Sequence, residues 1–146
     1  MLTGIENYNL RVYGLLIKDK AVLVTDEHRG GMLMTKFPGG GLEKGEGLAD
    51  CLIREFDEEL GINVSVETIF YVNEFLQVSQ FNSKDQLLSF YYFVSSDELS
   101  KIPDPVPLNL LKAGEQTFRW VKLDELKEAE FTFPIDRIVV KKLCNY

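Results

Sequence analysis

The run from Gly47 to Leu60 carries apolar residues at helical spacing and is stopped by Gly61, so the chain has to be built around one amphipathic helix. With Leu52 at zero on a wheel turning roughly 100° per residue, Leu48, Phe56, Leu60, Ala49 and Ile53 spread an apolar arc that should face a core. By the same count Glu59 falls at roughly −20°, Glu55 at roughly −60° and Glu58 at roughly −120°, among or bordering the apolar residues. Arg54 and Asp57 fall on the far side, where a solvated charge run belongs. Glu55, Glu58 and Glu59 repel one another across single helical turns, in the half of the helix where the macrodipole disfavours negative charge. Several local rules broken at one place mark a functional site. A hard divalent cation with oxygen ligands relieves clustered carboxylates, which points to Mg²⁺ or Mn²⁺ rather than zinc.

The chain of 146 residues is long enough for one domain with one core, so residues 1–146 are expected to form a single domain. No apolar run reaches the roughly 18 residues that a membrane span requires. The opening residues from Met1 show neither a basic segment nor an apolar one, so the expected compartment is the cytoplasm, with no membrane partner. A net charge of −7 disfavours stable nucleic-acid binding, which rests on many Lys and Arg neutralising phosphates. A small phosphorylated ligand remains compatible if a cation bridges the two anions. Cys51 and Cys144 are far apart and suggest neither a disulfide framework nor a zinc site; both are expected as thiols, Cys51 packed inside.

Along the chain, Leu10–Ile17 and Ala21–Thr25 read as a hairpin, followed by a connection containing Gly and Met. Lys36-Phe37-Pro38-Gly39-Gly40-Gly41 should end any regular element. Val64–Val78 and Gln86–Val94 read as long strands, the polar loop Ser79–Lys84 between them. Phe118–Leu123 is a further strand, Asp124 a cap for a short helix, and Pro134 the first turn of a last helix through Leu143. Strands interleaved with a few helices predict a layered α/β domain.

Read forward from the glycines, Gly40 is followed after five residues by Glu46, and after seven more by Arg54-Glu55-Phe56-Asp57-Glu58-Glu59-Leu60-Gly61-Ile62. This resembles the signature of the Nudix hydrolases, with all seven fixed identities present and an unusual aromatic, Phe56, at the first bulky position. At average residue frequencies such a match arises by chance on the order of once per million chains of this length. The resemblance implies an α/β/α sandwich with a mixed β-sheet. It also implies an enzyme that uses water and Mg²⁺ or Mn²⁺ to cleave the pyrophosphate linkage of a nucleoside diphosphate joined to another moiety. That moiety can make the substrate a nucleoside triphosphate, a sugar nucleotide or a dinucleotide.

The resemblance also carries site roles. Glu55, Glu58, Glu59 and the Gly39 carbonyl match metal ligands. Gly40, Glu46 and Arg54 match residues that hold loop and helix in register. Glu55 or Glu58 is the candidate to take the proton from water, and Glu115 resembles the position from which relatives recruit another acid. Many relatives place a phosphate-binding arginine just after the second strand; here the run is Thr25-Asp26-Glu27-His28-Arg29, so Arg29 or Lys36 is the candidate. His28 stands alone and supports no Ser/His or Cys/His catalysis. Tyr91, Tyr92, Phe93 and Trp120 read as core, while one of Tyr71, Phe75 or Phe81 is a candidate to stack on a base. The partner is then a small-molecule nucleotide, with a homodimer left open. The competing reading is a Nudix-like domain that senses nucleotides without turning them over.

Overall fold

Strand β1 (Asn7–Lys18) organises the fold, because its residues alternate between two faces that are both covered. Val12 and Leu16 join the core under helix α1 (Leu48–Leu60), whereas Leu15 joins a second core under helix α2 (Pro134–Cys144). Strand β2 (Ala21–Arg29) repeats the pattern, Leu23 facing the first core and Val22 and Val24 the second. The result is a helix, sheet, helix sandwich. The structure, a computed structural model, describes residues 4–146; residues 1–3, the start of the opening stretch read above for targeting, lie outside them. Among the described residues no helix is long and apolar enough to cross a membrane.

The sheet is mixed. β1 runs parallel to β6 (Asp85–Ser95) from Asn7↔Asp85 to Leu16↔Val94, and β6 is antiparallel to β5 (Ser65–Val72). On the other side β1 turns into β2, which pairs antiparallel with β3 (Met32–Lys36) and β7 (Gln116–Lys122). Asp26 of β2 is fully buried; Arg119 Nε of β7 donates to its Oδ2 at 2.7 Å and the Thr35 hydroxyl of β3 to its Oδ1 at 2.7 Å. A buried charge held this way ties three strands together.

Several sequence expectations shift. The connection after β2 contains β3, reached through a turn at Gly30 and Gly31. The glycine run forms β4 (Gly39–Gly41), which pairs with Arg11–Tyr13 of β1. β5 ends at Val72, not Val78, because the Asn73 amide takes over the ladder: its Oδ1 accepts the Ser89 N–H and its Nδ2 donates to the Leu87 carbonyl. Asp124 lies inside a one-turn 3₁₀ segment, Leu123–Glu125, and caps nothing. Trp120 of β7 is 38% exposed, whereas Tyr91 is buried. Cys51 is buried and Cys144 exposed, both free thiols.

Helix α1 packs less symmetrically than its wheel suggests: Leu52, Phe56 and Leu60 are buried, but Ala49 and Ile53 are exposed. The aromatic Phe56 fits because β1 has Gly14 beneath it. A Cβ there would stand 2.6 Å from Phe56 Cε2 and 3.2 Å from Val94 Cγ2. Gly14→Ala should therefore cost about 1–3 kcal/mol by overpacking, and adding Phe56→Leu should return part of it. Urea denaturation of the single and double variants decides this; an unaffected Gly14→Ala protein would refute the fit.

Candidate active site

β4 and α1 meet where the carboxylates lie. Gly39 has φ 151°, and a Cβ on it would fall on the Val12 carbonyl and the Tyr13 backbone. A Cβ on Gly40 would fall on the carboxyl group of Glu55. The absence of side chains on β4 thus lets Glu55 lie against the strand. At the helix start Asp50 accepts the Gly47 N–H at 2.8 Å, and at its end Gly61, φ 65°, returns its N–H to the Asp57 carbonyl.

Arg54 does not point to solvent with Asp57. Its guanidinium is half-buried and donates to both oxygens of Glu46, at 2.7 and 3.0 Å, and to the Gly41 carbonyl at 3.0 Å. It also donates to Glu55 Oε1 at 2.8 Å and Glu58 Oε2 at 3.3 Å. Glu46 further accepts the Glu43 N–H at 2.8 Å. The bonds from Arg54 and from that N–H hold the Glu46 carboxyl down at about 2. One side chain therefore fastens the glycine strand, the loop and the helix together, a supporting role consistent with the family resemblance.

The three helix carboxylates differ in environment. The Glu58 side chain is 58% exposed and that of Glu55 14%. Burial pushes the Glu59 carboxyl up to about 8, against the pull of Lys36 and with the added repulsion of Glu55, which lies within hydrogen-bonding reach. Among the described residues no three carboxylate, histidine or cysteine groups converge into a ready-made cage. Glu55 and Glu58 are instead turned towards Arg54. Glu115 is not brought to this cluster: it is exposed and its Oε1 accepts the Lys112 N–H of its own loop at 2.8 Å.

Beside the carboxylates, on the α2 side of the sheet, opens a cavity of about 310 Å³. Its floor is Asn9, Arg11 and Tyr13 of β1 with Ser89 and Tyr91 of β6; Phe81 and the start of α2 close it. Both phosphate candidates line it. Lys36 is near enough to act on Glu59 and pairs with Glu27 at 3.0 Å, while Arg29 lies over the Phe81 ring at 4.3 Å. Of the three aromatic candidates only Phe81 lines the cavity; Tyr71 packs towards Tyr91 and Phe75 lies outside the lining.

Two cavity residues escaped sequence reading, Arg11 and Asp136. The signal for Arg11 was its parity: it shares a β1 face with Leu15, and a charge on a covered strand face needs a reason. Asp136 is buried in the first turn of α2 and accepts the Tyr91 hydroxyl at 2.6 Å. Burial drives its carboxyl up to about 7, although Tyr91, Lys36 and Arg11 pull it down. The folded protein therefore keeps a proton that the unfolded chain has lost, and stability should fall as pH rises from roughly 4 through about 7. Asp136→Asn keeps an acceptor for Tyr91 and should lose that part of the pH dependence, gaining about 1–2 kcal/mol at pH 8. Denaturation curves from pH 5 to roughly 8 check it; parallel profiles for the two proteins would count against it.

A sequence model of the family described as NUDIX domain matches residues 7–143. No curated protein sequence matches the chain. Solved structures share its fold. The E. coli ORF135 protein superposes with TM-score 0.69 at 20% identity, covering 97% of this chain and 91% of that one. The MutT protein from Methanosarcina mazei Go1 gives TM-score 0.69 at 18% identity, with 96% and 95% covered. A MutT structure from the pair Aliivibrio salmonicida and Vibrio cholerae gives TM-score 0.61 at 24% identity, with 94% and 98% covered. At such identities likeness speaks for architecture, and the match of the family's sequence model, spanning β1 to α2, speaks for descent. With that match, the complete glycine-to-glycine signature and the helix, sheet, helix layers in agreement, the chain belongs to the NUDIX domain family.

Proposed function

We propose that the protein hydrolyses the pyrophosphate linkage of a nucleoside diphosphate joined to another moiety, with Mg²⁺ or Mn²⁺ as cofactor. The substrate is a nucleoside triphosphate, a sugar nucleotide or a dinucleotide. The observation that carries this reading is the adjacency of two features. Lys36 and Arg11, which line a cavity large enough for a nucleoside, also act on the box carboxylates Glu59 and Glu55.

The donor set fits a hard cation. Glu55, Glu58, Glu59 and the Gly39 carbonyl are oxygen donors, and the Glu59 proton is what a divalent ion would replace. Those four residues would hold the metal, which when bound neutralises phosphate oxygens and makes water a better nucleophile. Arg54 and Glu46 keep loop and helix in register while Gly40 leaves Glu55 its place. Glu55 or Glu58 takes the proton of the attacking water. Glu115, held by the Lys112 N–H of its own loop, stands apart from them. Lys36 and Arg29 supply positive charge at the cavity for the phosphates.

Purified protein incubated with nucleoside triphosphates, sugar nucleotides, ADP-ribose and dinucleotides, with and without Mg²⁺ or Mn²⁺, tests this. One class should be turned over, and only with the cation present. Tight binding with no turnover of any compound would overturn the catalytic reading in favour of a sensor.

A further inference from the structure

Three of the arginines are held by oxygen acceptors elsewhere in the fold, and two, Arg11 and Arg29, line the cavity. Arg54 is held by Glu46, Glu55 and Glu58, Arg119 by Asp26, and Arg137 by the Phe131 carbonyl, while Arg29 lies on Phe81. Arg11 differs. Its Nε donates to the Tyr13 hydroxyl at 3.2 Å, and among the described residues neither terminal nitrogen has an acceptor and no carboxylate forms an ion pair with it. The side chain is nevertheless mostly withdrawn from solvent. Both terminal nitrogens are thus free to engage an anion that enters the cavity.

Its position says which anion. Arg11 is the register partner of Gly41, and a Cβ on Gly41 would stand 3.3 Å from Arg11 Nη1, so the glycine strand makes room for the guanidinium. The next glycine, Gly40, lies on Glu55, whose charge acts on Arg11. On its other side Arg11 lines the cavity, where its charge acts on Asp136. The guanidinium thus stands between the box carboxylates and the cavity.

We infer that Arg11 binds the phosphate joining the nucleoside held in the cavity to the bond broken at α1, by two parallel N–H donors. This rests on the proposed hydrolysis of a nucleoside diphosphate derivative. Lys36 is less suited to that contact because Glu27 already holds it at 3.0 Å, and Arg29 sits over Phe81 instead. Strand β1, rather than the end of β2 or of β3, then supplies the phosphate-binding side chain.

Calorimetric titration in EDTA with AMP, GMP, CMP and UMP, and with the four matching nucleosides, isolates this contact from the metal. The wild-type protein should bind its preferred monophosphate at least roughly tenfold more tightly than the nucleoside, the size expected of charge-assisted hydrogen bonds. In Arg11→Gln the ratio should fall towards one, and in Arg11→Lys, which keeps the charge but not the fork, it should lie between. The melting temperature of the free Arg11→Gln protein should stay close to that of the wild type, because the terminal nitrogens make no hydrogen bond within the fold; a structural residue would lower it. An unchanged ratio in Arg11→Gln, no phosphate preference in the wild type, or a lowered melting temperature with the ratio intact would overturn the assignment. Turnover in the substrate panel with an unchanged ratio sinks Arg11 alone. An Arg11-dependent ratio without turnover sinks hydrolysis alone and leaves the phosphate site standing.

Discussion

Glu59→Gln should reduce hydrolysis on the order of 10²- to 10³-fold while making the cation-free protein more stable at neutral and alkaline pH. Both effects have one origin. Glu59 sits where burial and the neighbouring Glu55 oppose its charge, which is why its carboxyl is pushed from 4.5 to about 8. The folded state holds a proton that the unfolded chain releases above pH 4.5, so stability falls as pH rises through that interval to about 8 and stays low beyond. The slope for one such group is at most about 1.4 kcal/mol per pH unit. Glutamine removes the charge and with it the slope, and it also removes an anionic ligand from the cation. Melting curves in EDTA across pH 5 to roughly 9, repeated with Mg²⁺, should show the two proteins diverging as pH rises and the cation lifting only the wild type. Equal lifting of both by the cation would remove Glu59 from the site.

Gly40→Ala should lower turnover by at least about 10²-fold with a stability loss of about 1–3 kcal/mol, whereas Gly39→Ala should mainly unfold the protein. At Gly40 the backbone is ordinary and only space is at stake: the added methyl would occupy the place of the Glu55 carboxyl group. Glu55 can swing away, so the chain survives but the carboxylate leaves its bonded position against Arg54. At Gly39 the obstacle is main chain, the Val12 carbonyl and Tyr13 Cα, and φ is 151°. Nothing there can yield cheaply, and a loss above about 3 kcal/mol is expected from strain and overlap together. Urea denaturation and metal-dependent turnover of the two variants separate the effects. A fully active Gly40→Ala protein would mean that hydrolysis does not need Glu55 where it lies.

The layered architecture and the acidic cluster were legible because both rest on periodicity. Apolar residues every three to four positions located α1, and the same count set Glu55 and Glu59 off as misplaced. What periodicity could not show was contact. Arg54 falls on the polar side of the wheel, yet its length lets the guanidinium reach back to Glu46 and Gly41. β4 was missed because three glycines carry no side-chain pattern; what makes them a strand is pairing with Arg11–Tyr13, far away in sequence. β3 was missed because Gly30 and Gly31 read as loop, while the turn they form is what lets Met32–Lys36 fold back on β2. The unusual Phe56 was visible as an oddity, but its explanation, the bare Gly14 beneath it, lies on another strand. Asp136 stood out in no pattern, because it acquires its character only from burial against Tyr91.

The alternation of β1 keeps two tasks apart. Val12, Gly14 and Leu16 support the helix that bears the acids, while Asn9, Arg11 and Tyr13 look the other way into the cavity. Successive positions on this ribbon therefore answer to different demands, so a substitution on one face can alter what the cavity accepts while leaving the seat of the acidic helix as it is.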